Sequence, residues 1–201
     1  MTEQPGLRER KKARTRASIR EHALRLFREQ GYDGTTVEQI AAAAEVSPST
    51  FFRYFPTKED VVLQDDMDVR LFEAFERQPP DLAPIAAVRA ALRESTAGFS
   101  PQEWELLREA TALSMTVPEV RARTLDETAR MMGEMTSVLA KRVGLPATDL
   151  RVQTFAGAVL GIMMTVALPY EELAKGEIGP DMFGRLDGAL ALLEAGLPLG
   201  D

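Results

Sequence analysis

The stretch GTTVEQIAAAAEVSPSTFFRYFPTKED, residues 34–60, decides the fold. It reads as two short helices joined by a tight turn. Thr35 stands three residues before Glu38 and Thr36 three before Gln39, so two registers of a capping box are open, each satisfying orphan backbone donors reciprocally. Val37, Ile40, Ala41 and Ala44 then recur at the spacing of one helical face, and the four consecutive alanines make a slim element that another helix can approach closely. Val46 is the expected apolar plug of the turn. Ser47 with Pro48 starts the second helix, since the hydroxyl can cap and the ring's fixed φ suits a first helical position, where no amide donor is missed. Pro56 makes Phe55 its expected end.

At about 100° per residue around that second helix, Phe51 and Phe55 share a face with Pro48. Ser49 and Arg53 lie opposite, flanked by Thr50 and Phe52. One face packs and the other is turned away from the first two helices. Such an outer face suits the major groove of DNA: Arg53 can donate two hydrogen bonds to guanine, Ser49 and Thr50 can bond base edges or phosphate, and Phe52 can rest on a thymine methyl. Tyr54 and Lys58 are placed to reach backbone phosphates, as is the amino end of the first short helix at Thr36, where free amides favour anions.

Upstream, a longer helix is expected from Arg8 to Gln30, with Ile19, Ala23, Leu26 and Phe27 on its buried side and Gly31 as carboxyl-terminal cap. Its amino end, RERKKARTR from Arg8 to Arg16, carries six cations among nine residues. Beside a helix-turn-helix, a block of this kind attracts phosphate.

From Arg8 to Leu63 these residues resemble the amino-terminal domain of TetR-family transcriptional regulators. The likeness rests on LFREQGYDGTTVEQIA and VSPSTFFRYFPTKEDVV, which include Gly31 and Tyr32, the threonine pair, the Ser-Pro cap, the aromatic run and the lysine after it. It implies that Thr36, Ser49, Thr50, Phe52, Arg53, Tyr54 and Lys58 touch DNA.

The net charge of -7 argues against nucleic acid only until its distribution is considered. Residues 1–30 hold nine Lys and Arg against four acids, residues 1–60 eleven against nine, and the rest thirteen against twenty-two. A neutral-to-basic reading unit, residues 1–60, is thus joined to an acidic body, residues 61–201, which keeps nonspecific DNA binding weak and salt-sensitive. At 201 residues and 45% hydrophobic, the chain can bury a sizeable core. The absence of cysteine leaves no disulfide or thiolate metal site and fits a reducing compartment. MTEQPGLRERKK lacks the apolar segment of a secretory signal, so a cytoplasmic location is expected.

The body reads as further helices set off by Pro and Gly: Lys58 to Arg77, Pro84 to Ala97, Pro101 to Met115, Pro118 to Val143, Asp149 to Ala167 with an extension beyond Pro169, and Pro180 to Ala195. The fold expected is therefore all-α, about nine helices with no strand: a three-helix helix-turn-helix domain followed by a helical ligand-binding and dimerisation bundle. Val152 to Tyr170 has no charge and sets Gly157 and Gly161 at GxxxG spacing, yet Gln153, Thr154, Thr165 and Pro169 dilute it and no basic cluster marks a cytoplasmic flank. A helix buried against protein explains it better than a membrane span.

The last two helices resemble the pair that forms the four-helix dimer interface of TetR-family regulators. Ala156, Gly157, Ala158 and Gly161 permit close approach, while Met163, Met164 and the stripe Phe183, Leu186, Leu190, Leu193, Leu197 supply area. Two reading helices on a two-fold axis match a pseudo-palindromic operator. Among the middle helices, Phe72, Phe75, Trp104, Met115, Met132 and Met135 offer adaptable apolar lining for an effector. RTLDETARMMGEMTSVLAKRVG and FAGAVLGIMM loosely resemble acyl-CoA-responsive TetR-like regulators, which implies a hydrophobic or acyl-CoA-like effector that releases a repressor from DNA.

Catalysis finds little support. His22 is the only histidine and has no nucleophile at a telling spacing, so no catalytic residue is assigned. Asp65, Asp66 and Asp68 lack the glycine and further ligands of a cation loop, so neither metal nor cofactor is expected. The rival reading is a small helical enzyme or ligand carrier that keeps a degenerate helix-turn-helix, and an exposed Arg53 beside the basic arm speaks against it.

Overall fold

The computed structural model describes residues 6–63, 67–167 and 180–198. Among these, ten α-helices and no strand occur: α1 (Leu7–Gln30), α2 (Val37–Ala43), α3 (Pro48–Tyr54), α4 (Lys58–Leu63), α5 (Met67–Arg77), α6 (Pro84–Thr96), α7 (Pro101–Thr116), α8 (Pro118–Val143), α9 (Leu150–Ala167) and α10 (Pro180–Glu194). The single helix expected from Lys58 to Arg77 is described as α4 and α5, with residues 64–66 and hence Asp65 and Asp66 outside the described residues. The extension beyond Pro169 also lies outside them. No helix among the described residues is long and apolar enough to cross a membrane.

Local sequence accounts for the element ends. Gly31 stops α1 at φ 82°, a positive value that glycine adopts without a Cβ penalty, and its N–H donates to the Phe27 carbonyl. At Gly34 a Cβ would stand 2.6 Å from the Gln30 carbonyl oxygen, so the chain can turn back towards α2 only with glycine there. Ser100 and Glu103 form a capping box at the start of α7, and Gly144 ends α8 in the left-handed conformation.

Two hydrophobic cores organise the helices. The first joins Ile19, Ala23, Leu24 and Phe27 of α1 to Ile40, Phe51, Phe55, Val61 and Val62, and it is completed by Ala110 of α7 and Val120 of α8. The second gathers α5, α6, the later turns of α8, α9 and α10 around Phe75, Val88, Leu92, Met135, Leu139, Val159 and Leu190. A boundary after residue 60 therefore falls inside α4, and the core of the reading unit draws on residues from well beyond it. The 26 residues of α8, about 39 Å of helix at 1.5 Å per residue, run from one core to the other.

Polar contacts repeat this pattern. Arg123 Nη2 of α8 donates to Asp60 Oδ1 at 3.2 Å, Gln102 donates to Glu21 at 2.7 Å, and Arg28 pairs with Glu109. Within the body, Arg89 of α6 donates from Nε and Nη2 to Asp187 of α10 at 2.9 and 3.0 Å. That bidentate pair holds the Asp187 carboxyl below the usual carboxylate range, against some burial cost. With the folded value lowered, the pair stabilises fully above the ordinary aspartate value of about 3.9 and loses its contribution as pH falls through the lower folded value. Asp187→Asn should therefore leave a shallower acid limb in a plot of melting temperature against pH. An acid limb identical to wild type would show that the pair contributes nothing.

Candidate nucleic-acid interface

Of the two capping registers open in the sequence, the structure takes the second. Thr36 Oγ1 accepts from the Gln39 amide at 3.3 Å and Gln39 Oε1 accepts from the Thr36 amide at 2.8 Å. Thr35 is buried instead, its hydroxyl donating to the Gly31 carbonyl at 2.8 Å. Ser47 caps α3 by accepting from the Thr50 amide at 3.1 Å, and its hydroxyl also lies within bonding distance of the Ser49 and Thr50 hydroxyls. Pro48 occupies the first turn, and Phe55 ends the helix in extended backbone.

The two faces of α3 separate as its periodicity requires. Phe51 and Phe55 are fully buried, whereas Phe52 is 49% exposed beside exposed Ser49 and Arg53. The Arg53 guanidinium carbon lies 5.4 Å from the centre of the Tyr54 ring. Arg53, Tyr54, Arg8, Lys11, Lys12 and Thr15 line an open cleft of about 880 Å³ between α3 and the amino end of α1. Among the described residues four cations and no acid border it, which makes this side of the reading unit attractive to a phosphate backbone.

Lys58 is placed differently from a free phosphate contact. Its ammonium donates to the Tyr32 and Thr35 carbonyls at 3.0 and 3.1 Å and lies 3.9 Å from the Tyr32 ring centre. Only one of three ammonium hydrogens is left for a phosphate. Lys58 thus fastens the loop that presents Thr36. The Tyr32 hydroxyl donates to Glu59 at 2.8 Å, and burial together with that carboxylate pushes the phenol well above its ordinary value. Burial raises the Glu59 carboxyl, but hydrogen bonds from its own amide, Tyr32 and Thr57 outweigh it and hold the group below the usual range.

Asp60 anchors the same region. Its carboxylate is fully buried, Oδ2 accepting from the Thr57 amide at 2.9 Å while Arg123 reaches Oδ1. The Thr57-to-Asp60 spacing was readable as a helix cap. The partner sixty-three residues away carried no local signal.

The six residues expected to line an effector cavity are only partly brought together. Phe72, Phe75 and Met135 border a void of about 10 Å³ in the second core, room for a single water at most. Met132 packs against that core, and Trp104 stands edge-on to Phe99 and Phe183 at 5.1 Å from each. Met115 lies elsewhere, in an open groove of about 420 Å³ along α8.

The stripe on the last helix also divides. Leu186 and Leu190 are buried within the chain's own second core, Leu193 packs against it, and Leu197 lies beyond the end of α10. What α9 and α10 leave exposed is another set: Leu150, Arg151, Gln153, Thr154, Gly161, Met164 and Thr165 on α9, and Gly184, Arg185, Gly188, Leu192 and Glu194 on α10. Gly157, Gly161, Gly184 and Gly188 have open space where a Cβ would be.

A helix-turn-helix with an exposed basic and aromatic face, set on a helical body, defines a DNA-binding regulator. The family model of the bacterial regulatory proteins of the TetR family matches residues 19–64, and that of the MftR C-terminal domain matches residues 82–198. The transcriptional regulator TcmR of Streptomyces glaucescens is 38% identical over 152 residues, covering 72% of this chain and 67% of that one. A Mycobacterium tuberculosis protein named as a mycofactocin biosynthesis transcriptional regulator, MftR, is 26% identical over 94% of this chain and 93% of its own. FadR of Thermus thermophilus, a TetR-family repressor crystallised with lauroyl-CoA, superposes with a TM-score of 0.56 at 27% identity, covering 92% and 96% of the two chains. The chain belongs to the TetR family of transcriptional regulators, and its relatives are regulators rather than enzymes.

Proposed function

We propose that the protein is a cytoplasmic repressor that binds a pseudo-palindromic operator as a homodimer and is released by a hydrophobic or acyl-CoA-like effector. The observation that carries this reading is the exposed face of α3, with Phe52 and Arg53 turned out beside the basic cleft. In it, Arg53 reads guanine, Ser49, Thr50 and Phe52 meet neighbouring base edges, and Thr36, Tyr54 and the remaining Lys58 hydrogen hold phosphates. The lauroyl-CoA bound by FadR supports an acyl effector here. Selecting fragments from genomic DNA with the purified protein and footprinting them at low salt is the test. A protected two-fold repeat is expected, and no protection on any selected fragment ends the reading.

Dimerisation is assigned to the glycine-bearing stretch of α9 from Gly157 to Gly161 and to the exposed face of α10. A helical glycine costs about 1 kcal/mol relative to alanine, and no described residue occupies the space beside Gly157, Gly161, Gly184 or Gly188. A second copy approaching closely accounts for them. Gly161→Leu and Leu192→Glu should convert the dimer to monomer in light scattering and remove cooperative operator binding. Leu190→Glu, by contrast, should unfold the body, because Leu190 is only 1% exposed. Dimers that survive both surface changes would place the seam elsewhere.

A further inference from the structure

The effector reading leaves open where the molecule sits, and the collapsed void at Phe72, Phe75 and Met135 is too small for one. The groove along α8 is not. At about 420 Å³ it falls within the range of small-molecule sites, and it covers the turns of α8 between the two cores. Met115 of α7, Ala122 of α8 and Met164 of α9 all line it. Thr124 and Thr128 donate their hydroxyls to the Val120 and Thr124 carbonyls at 3.0 and 2.8 Å, so they add no free donor to the groove. Among the described residues Arg121 is the one charged residue in the lining, is exposed, and its guanidinium makes no hydrogen bond or ion pair.

An unpaired guanidinium at the edge of an apolar groove is complementary to an amphiphile with an anionic end. We propose that this groove is the effector's seat, and that the effector is an aliphatic carboxylate or phosphate ester whose head is held by Arg121 and whose tail lies against Met115, Ala122 and Met164. The proposal rests on the effector-responsive reading and adds its site and ligand class. It also supplies a route to the DNA. Arg123, two residues from Arg121 on the same helix, holds the buried Asp60 of α4, so a ligand that shifts these turns of α8 pulls on the reading unit directly.

The full-length protein is titrated with decanoate, decyl phosphate and decanol by calorimetry without DNA. Both anions are expected to bind at least about tenfold more tightly than decanol, the scale of a charge-assisted hydrogen bond. Tighter binding of one anion distinguishes a free carboxylate from a phosphate-bearing effector. Arg121→Gln should bring the anions level with decanol, and Ala122→Phe or Thr128→Tyr should abolish all three. Circular dichroism melts near the wild-type temperature establish that each variant is folded, and two independent groove-filling changes guard against one that is not.

Anion affinities unchanged by Arg121→Gln, or probe binding lost on Phe72→Trp but not on Ala122→Phe, would overturn the proposal. So would conversion of the dimer to monomer by Ala122→Phe, since the groove would then be covered by a second copy. Footprinting of the wild type without probe tests the regulator reading separately, so a protein that protects its operator but ignores every probe sinks only the site proposed here.

Discussion

Replacing Arg53 with alanine is expected to weaken operator binding by about 1 to 3 kcal/mol at each half-site, and selectivity should fall at one base pair per half-site. The guanidinium is exposed, lies over the Tyr54 ring and makes no hydrogen bond among the described residues, so none of these competes for its donors. Two half-sites read by one dimer roughly double the loss, which makes this the largest single effect on DNA binding. Lys58→Ala should differ in kind. Its ammonium is mostly committed to the Tyr32 and Thr35 carbonyls, so its loss should loosen the loop before α2, weaken all sequences alike and, with one phosphate contact gone, flatten the salt slope by about one. Titrations of matched and single-mismatch operators at several salt concentrations separate the two. Uniform weakening by Arg53→Ala across all mismatches would remove it from base reading.

Arg123→Ala should lower the unfolding free energy by about 3 kcal/mol, at the lower end of the range for an uncompensated buried charge. Asp60 is 0% exposed, while the Arg123 side chain is 41% exposed, so solvent screens one partner and the full penalty is not expected. The loss arises from a carboxylate left buried beside α4 with one amide donor. Asp60→Asn on the Arg123→Ala background should therefore recover much of it, since the amide oxygen can still accept from Thr57 without carrying charge. Urea unfolding of both single variants and the double variant closes the cycle. Additive losses would mean that the two side chains do not depend on each other.

Much of the reading unit was legible because its signals are local. Caps, proline positions and the packing face of α3 lie within one or two turns of the residues they govern. The choice between Thr35 and Thr36 was not, since it depends on Thr35 bonding back to Gly31 across the preceding turn. The charge of Lys58 was legible, but not the Tyr32 and Thr35 carbonyls that take up two of its three ammonium hydrogens. In the body, helix positions followed from Pro and Gly punctuation, while the use of each face did not: the same leucine spacing serves a core within the chain or a seam between chains. Leu190 and Leu192 are two residues apart, and one is buried while the other is 55% exposed. Phe72, Trp104, Met115 and Met132 share a chemistry suited to lining a cavity, but only tertiary packing determines whether such residues converge.

The core of the reading unit is closed by Ala110 and Val120, residues that follow it by some fifty positions and more. Grafting offers a way to see what that means. A chimaera that takes residues 1–60 of this chain onto the body of another regulator would meet a foreign surface where α7 and the first turn of α8 should lie. Transplanted operator specificity should thus require carrying the matching α7 and α8 residues along, or moving only the outer face of α3 and leaving the rest of the recipient intact.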